Sequence, residues 1–217
     1  VINTCTVTHM SDRKSRQYIR RMKKKNPDAI IAVVGCYSQV SPEEILDIEE
    51  VNLVMGTNER RTIVDEIKKL EVVEGDKKAS TVDDIMKVRA FEEIEISQAN
   101  GRTRAFIKIQ DGCDNRCAYC IIPYGRGKSR SADSEYIIQE INRYSELGYK
   151  EVVLTGIHIG LYGKDFGKDL LSLLKDIELK TSIPRYRLGS LNPLEITVEM
   201  LNFLQDSEKF CPHFHLS

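Results

Sequence analysis

Apolar residues fall along the chain in two alternating rhythms. The unbroken runs Ile30-Ile31-Ala32-Val33-Val34 and Asn52-Leu53-Val54-Met55-Gly56 read as strands buried on both faces. Positions 1–5 form a shorter strand-like run. Between these, the spacing turns helical. Positions 8–25 predict a helix, with Thr8 or Ser11 as N-cap and Asn26-Pro27 as the stop. Ser41-Pro42-Glu43-Glu44 opens a second helix, with Ser41 as N-cap, Pro42 at the first helical position and Glu44 reaching back; it carries Ile45, Leu46 and Ile48. A third spans 59–70, with Ile63, Val64, Ile67 and Leu70 on one face. Strand, helix, strand at this spacing predicts right-handed crossovers. The fold class is α/β, and residues 1–75 are expected to form an open, doubly wound parallel sheet.

Residues 76–100 break the rhythm. The polar stretch around Glu74-Gly75-Asp76-Lys77-Lys78 reads as a linker, with a short strand near Ile94 to Ile96. From 101 to 217 the strand–helix alternation resumes. Ala105-Phe106-Ile107-Lys108-Ile109-Gln110 is a strand. Asp133 or Ser134 caps a helix that turns Ile137, Ile138, Ile141, Tyr144 and Leu147 inward and closes at Gly148. Strand signals follow at 151–156, 185–190 and 211–217, and helical ones at 169–179 and 197–205. This is the opening part of a (β/α) partial barrel, a fold whose βα-loops carry the chemistry.

Composition narrows the class only slightly. The 217 residues balance 32 Lys and Arg against 33 Asp and Glu, so any nucleic-acid surface must be local. No run reaches the roughly 20 apolar residues needed to span a bilayer, and no signal peptide opens the chain. A cytoplasmic protein without a membrane partner is expected. Both ends read as cuts through strands, so the chain is expected to be truncated at both.

Six cysteines change the picture: Cys5, Cys36, Cys113, Cys117, Cys120 and Cys211. In a chain of this length without a secretion signal they point to metal binding or catalysis rather than disulfides. Cys113, Cys117 and Cys120 sit at C-x₃-C-x₂-C spacing in the loop after a predicted strand. Three close thiols fit an iron–sulfur cluster with one iron left open, a structural zinc site that borrows a distant fourth ligand, or three unrelated buried thiols. Cys5 and Cys36 both follow predicted parallel strands at their carboxyl ends, where open α/β sheets bind ligands. They are expected to lie close in space, either as ligands or as two small buried hydrophobes. Gly127-Lys128-Ser129 is not a phosphate-binding P-loop, because position 122 is isoleucine. His158, His213 and His215 read as structural residues.

The cysteine loop with its aromatic Tyr119, together with Asn3-Thr4-Cys5 and Gly35-Cys36, resembles the radical S-adenosylmethionine (SAM) methylthiotransferases over essentially the whole chain. The flanking Thr6-Val7-Thr8, Tyr37-Ser38-Gln39, Lys108-Ile109-Gln110-Asp111-Gly112 and Cys211-Pro212-His213-Phe214-His215 most resemble members that methylthiolate N6-threonylcarbamoyladenosine in tRNA. The resemblance implies two [4Fe-4S] clusters and SAM. Cys113, Cys117 and Cys120 would hold the SAM-binding cluster, with Tyr119 and Gly156 as cofactor contacts. Cys5 and Cys36 would hold two positions of an auxiliary cluster whose third cysteine is expected upstream of Val1. It further implies a tRNA substrate, an electron-donor protein, a 5′-deoxyadenosyl radical that removes hydrogen from C2 of the modified adenine at position 37, and sulfur insertion there. RNA contact is expected at Arg126, Lys128 and Arg130, and the basic helix at 8–25 is a weaker candidate. The alternatives are family members acting on isopentenyladenosine in tRNA or on a ribosomal protein, and a non-catalytic zinc-binding RNA module.

Overall fold

A computed structural model describes residues 1–58, 60–72, 78–94 and 103–217. The chain forms two compact units. The first comprises Val1–Glu92 together with Asp114–Lys128, and the second Glu93–Cys113 together with Ser129–Ser217.

The first unit contains β1 (Ile2–Thr4), α1 (His9–Lys25), β2 (Ala32–Gly35), α2 (Cys36–Val40), α3 (Pro42–Leu46), β3 (Leu53–Met55), α4 (Ile63–Glu71), β4 (Ala79–Thr81) and the later helix α5 (Ile122–Arg126). Its four strands are all parallel and lie in the order β1-β2-β3-β4. Side chains alternate across a strand, and β2 therefore feeds two cores. Val33 packs with Ile19 and Met22 of α1 and Ile45 of α3, whereas Ala32 and Val34 pack with Ile63, Ile67 and Leu70 of α4. Helices thus cover both faces of the sheet.

Several local expectations change. Thr8 caps α1 through Ser11 N–H at 3.2 Å. Ser41 makes no side-chain cap to α3, and Glu44 does not reach back, because its carboxylate accepts the Tyr37 hydroxyl at 2.7 Å. Val64 faces solvent instead of the core. The stretch expected as a linker supplies β4, which pairs with β3. Glu59, and the expected strand beyond Ile94, lie outside the described residues.

The second unit contains β5 (Arg104–Asp111), β6 (Arg130–Ser131), α6 (Ser134–Glu146), β7 (Glu151–Gly156), α7 (Leu170–Lys180), β8 (Tyr186–Leu188), β9 (Ser190–Leu191), α8 (Val198–Asp206) and β10 (His215–Leu216). The main sheet runs β6-β5-β7-β8, with β5, β7 and β8 parallel and the unforeseen two-residue β6 antiparallel to β5. Caps at Asp133, Asp169 and Thr197 start α6, α7 and α8. Ile137, Ile141 and Tyr144 are buried as expected, but Leu147 is exposed at the helix end. Gly148 closes that end at φ 87°, a left-handed conformation suited to glycine. Glu151, at the start of β7, is buried beneath Arg104, Arg185 and Arg187, whose Nε atoms lie 2.8, 2.9 and 3.0 Å from its carboxylate. Burial works against ionisation there, but the Arg187 hydrogen bond and the surrounding guanidinium charges prevail and hold the carboxyl below the usual glutamate range.

Candidate metal centres

In the first unit, parallel register pairs Thr4 of β1 with Gly35 of β2. Cys5 and Cys36 are the next residues of each strand, so adjacent carboxyl ends carry the two cysteines. Thr4 Oγ1 donates to Val34 O at 2.7 Å and ties the strand ends together. Gly35 has φ 104°, and a Cβ there would lie 2.9 Å from Thr4 N, so only glycine lets the strands close at this point. Cys5 is exposed and Cys36 is buried. A cleft of about 490 Å³ opens beside them, lined by Thr6, Val7, Asp12, Arg16, Tyr37 and Glu44 among others. Arg16 donates to the Tyr37 hydroxyl, which donates onward to Glu44. Burial raises the pKa of this phenol, with Glu44 adding to the effect and Arg16 opposing it.

α5 packs directly against α2. Arg126 Nε donates to Cys36 Sγ at 3.1 Å. A Cβ on the neighbouring Gly125 would sit 3.3 Å from Cys36 Cβ and 3.6 Å from Val40 Cγ2, so the two helices meet at glycine. The buried hydroxyl of Thr57 anchors this contact by donating to Gly125 O at 2.7 Å. Gln39 holds Thr57 in turn, its Oε1 accepting Thr57 N–H at 2.9 Å while its Nε2 donates to Asp83 O at 2.8 Å. Cys117 and Cys120 belong to the same unit, joined by a turn in which Cys120 N–H donates to Cys117 O at 3.0 Å. Tyr119 between them is 94% exposed.

In the second unit, Cys113 follows the end of β5, and that junction is tightly built. Buried Gln110 donates through Nε2 to Gly112 O at 2.8 Å and to Ser129 Oγ at 3.0 Å, and its Oε1 accepts His158 N–H at 2.7 Å. Asp111 Oδ1 accepts Gly112 N–H at 2.9 Å. Cys113 Sγ lies 3.5 Å from His158 Nδ1, and His158 Nε2 lies 2.6 Å from Glu195 Oε1. Gln110 and Glu195 are not among the residues expected at the site, and His158, expected to be structural, lies against the Cys113 sulfur. The legible signal was position, since His158 follows Gly156 in the loop at the carboxyl end of β7. At Gly156 itself a Cβ would sit 2.8 Å from Gln110 O, so close approach of β5 accounts for this glycine.

The three RNA candidates separate. Lys128 is exposed. Arg126 is turned onto Cys36. Arg130 is buried in β6, with its guanidinium 3.9 Å from buried Asp111, and is not a surface contact. All six cysteines are free thiols. Among the described residues, no three His, Cys, Asp or Glu side chains already form a metal-holding group. Cys113, Cys117 and Cys120 are none of them fully buried, and soft thiols on one short loop are the donor set an iron–sulfur cluster takes, so these residues fit the group in kind.

Residues 107–217 match the family model described as the radical SAM superfamily. The chain belongs to the radical SAM superfamily. Residues 1–56 of this radical SAM protein match a second model, described as uncharacterized protein family UPF0004. The chain is 43% identical over 219 residues to the threonylcarbamoyladenosine tRNA methylthiotransferase MtaB of Bacillus subtilis, which covers 100% of the chain and 48% of the relative. It is 39% identical to MtaB of Aquifex aeolicus, covering 100% and 52%. It is 34% identical to the tRNA-2-methylthio-N(6)-dimethylallyladenosine synthase of Pelotomaculum thermopropionicum, covering 100% and 49%. The chain therefore spans about half the length of the curated relatives it matches. Among solved structures, it superposes on the radical SAM methyltransferase TsrM of Kitasatospora setae, whose structure has cobalamin and a [4Fe-4S] cluster bound. The TM-score is 0.67 at 15% identity, covering 100% of this chain and 48% of that one, a likeness of fold alone. Among the described residues no helix is long and apolar enough to cross a membrane.

Proposed function

We propose that the chain is part of a tRNA methylthiotransferase that converts N6-threonylcarbamoyladenosine at position 37 to its 2-methylthio derivative. The observation that carries this reading is the 43% identity to MtaB along the entire chain, cysteine loop included. Cys113, Cys117 and Cys120 would hold a SAM-binding [4Fe-4S] cluster, with Tyr119 and Gly156 beside the cofactor. Cys5 and Cys36 would contribute to a second cluster. When bound, a cluster with SAM supplies one-electron cleavage of a carbon–sulfur bond and the radical needed to attack an unactivated adenine carbon. The protein's own part is positioning. Gln110 and Asp111 fix the backbone from which Cys113 projects. His158 places its Nδ1 3.5 Å from the Cys113 sulfur, and the Glu195 carboxylate lies against the far edge of that ring. Arg126 gives Cys36 a charged donor, and Gly125 lets α5 pack closely against it. The auxiliary-cluster domain would extend past the expected 1–75 to include β4, and the partial barrel expected from 101 would lend residues 114–128 to the first unit. An electron-donor protein completes the system, which would work in the cytoplasm.

Anaerobic reconstitution with iron and sulfide tests the site. Iron and sulfide uptake with charge-transfer absorbance, reduced in Cys113→Ala, is expected. Stoichiometric zinc with no iron uptake would overturn it. Mass spectrometry of tRNA nucleosides from a strain lacking the gene tests the substrate. Loss of the 2-methylthio form of threonylcarbamoyladenosine is expected, and loss of the isopentenyl counterpart instead would reassign it.

A further inference from the structure

One face of α1 carries an unusual charge pattern. At 100° per residue, Arg13, Arg20 and Lys24 fall together, and Lys14, Arg21 and Lys25 fall beside them. This face lies opposite Ile19, which is fully buried against the sheet. All six cations are exposed. No carboxylate lies within ion-pair distance of any of them among the described residues, although acidic residues outnumber basic ones in the chain as a whole. The two remaining basic residues are used internally, since Arg16 bonds Tyr37 and Lys23 donates to Ala29 O at 2.9 Å.

Ordinary helix physics does not account for the six. The helix dipole favours cations only in the last turn, which covers Lys24 and Lys25 but not Arg13, Lys14, Arg20 or Arg21. Solubility asks for mixed signs, and i,i+4 pairing asks for opposite charges. Here Arg16/Arg20, Arg20/Lys24 and Arg21/Lys25 are like-charged neighbours, each of which weakens the helix. A membrane surface is a poor partner, because an interfacial helix needs a free apolar face and that of α1 is already packed into the core. At about 1.5 Å per residue the cations extend over roughly 18 Å, enough to follow several successive phosphates. Tyr18, 48% exposed, flanks the stripe between Lys14 and Arg21 and offers a ring on which a base can stack.

We propose that this face of α1 is an RNA-backbone contact that docks the tRNA substrate on the first unit. The inference rests on the tRNA-modifying reading above and adds to it where the phosphates are held. It also replaces Arg126 and Arg130, which the structure turns inward, as the principal electropositive contact.

The test is fluorescence anisotropy of the chain with labelled tRNA across a salt series, for the wild type and the triple variant Arg20→Gln/Arg21→Gln/Lys24→Gln. Circular dichroism of both proteins confirms that the helix persists. Each phosphate neutralised contributes a slope of about 0.7 to 0.9 in log K against log salt, so the variant should lose about 2 to 3 from the slope and at least tenfold in low-salt affinity. A control triple variant on α7 and α8, Lys175→Gln/Lys180→Gln/Glu199→Gln, should change the slope by less than one. An unchanged slope in the α1 variant, or tighter binding of the wild type to phosphatidylserine vesicles or polyglutamate than to tRNA, overturns the proposal. The nucleoside analysis of the deletion strain is read independently. A lost methylthio nucleoside with an unchanged α1 slope removes this surface and leaves the function standing. A lost slope with an unchanged nucleoside pool removes the function and leaves the surface as an RNA contact.

Discussion

Replacing Thr57 with valine keeps the shape of the side chain and removes one hydroxyl. That hydroxyl is buried, and its single hydrogen goes to Gly125 O at 2.7 Å in preference to Gln39 Oε1 at 3.3 Å. The acceptor belongs to a five-residue helix, where such carbonyls lack an intrahelical partner. Losing the bond leaves Gly125 O buried and unmatched, at a cost of about 1 to 3 kcal/mol. A central value of about 2 kcal/mol means that α5 opens from α2 roughly 30 times more often. Native-state hydrogen exchange reads this directly. The amides of Tyr124, Gly125 and Gly127, which close α5 by bonding Ile121 O and Pro123 O, should exchange about 30-fold faster in Thr57→Val, while the β7 amides stay unchanged. Thr57→Ser should restore most of the protection. Alkylation of Cys36, which α5 covers, should accelerate in parallel. Unaltered protection over 121–127, or an equal loss in both units, would refute the view that this hydroxyl is what fastens α5.

Three further outcomes follow from the same structure. Gly35→Ala places a side chain at φ 104° and 2.9 Å from Thr4 N, so urea stability should fall by more than about 2 kcal/mol, and a change below about 0.5 kcal/mol would contradict the close approach of β1 and β2. Glu151→Gln should cost about 1 to 2 kcal/mol at neutral pH, discounted because Arg104 and Arg185 are half exposed. Because the folded carboxyl titrates below its ordinary value, the wild-type advantage is full above the unfolded pKa and fades as pH falls through the folded one, so urea midpoints of wild type and variant should converge as pH falls below the ordinary glutamate range. A gap independent of pH would show that charge is not the source. Ile141→Ala, at a fully buried position of α6, should cost about 2 to 5 kcal/mol in thermal or urea unfolding, and a smaller loss would mean that the α6 core collapses around the gap.

What could be read in advance depended on the length scale of the interaction. The strand runs around Ala32 and Val152 and the capped helices α1, α6 and α8 declare themselves within a few residues, through apolar periodicity and side-chain caps. Short elements do not. α2 has five residues and begins at Gly35 with no side-chain cap, β4 is the edge segment Ala79-Ser80-Thr81, and β6 has two residues. Helix faces were legible to about one residue, which is why Val64 and Leu147 fell on the wrong side. The cysteines were legible by spacing, but their surroundings were not. Arg126 meets Cys36 across 90 positions and Thr57 meets Gly125 across 68, and nothing local in either segment encodes such a meeting. Arg130 shows the same limit from the other side, since a basic residue near a cysteine loop looks like surface until its burial beside Asp111 is seen.

The assignment of Asp114–Lys128 to the first unit bears on how the chain is made. In synthesis from the amino end, strands β1 to β4 have all been made by residue 81, whereas α5, which packs on α2, ends only at residue 126. In that interval Cys36 and Val40 lack the contact with Gly125 that α5 later supplies, while β5 of the other unit is already being synthesised. Neither unit is contiguous in sequence, so neither has all its segments until the chain has passed into the other, and a nascent chain halted near residue 100 would leave the Cys36 thiol without its α5 contacts. That stretch of synthesis is where a chaperone or an early thiol-protecting step would have most effect on the yield of correctly folded protein.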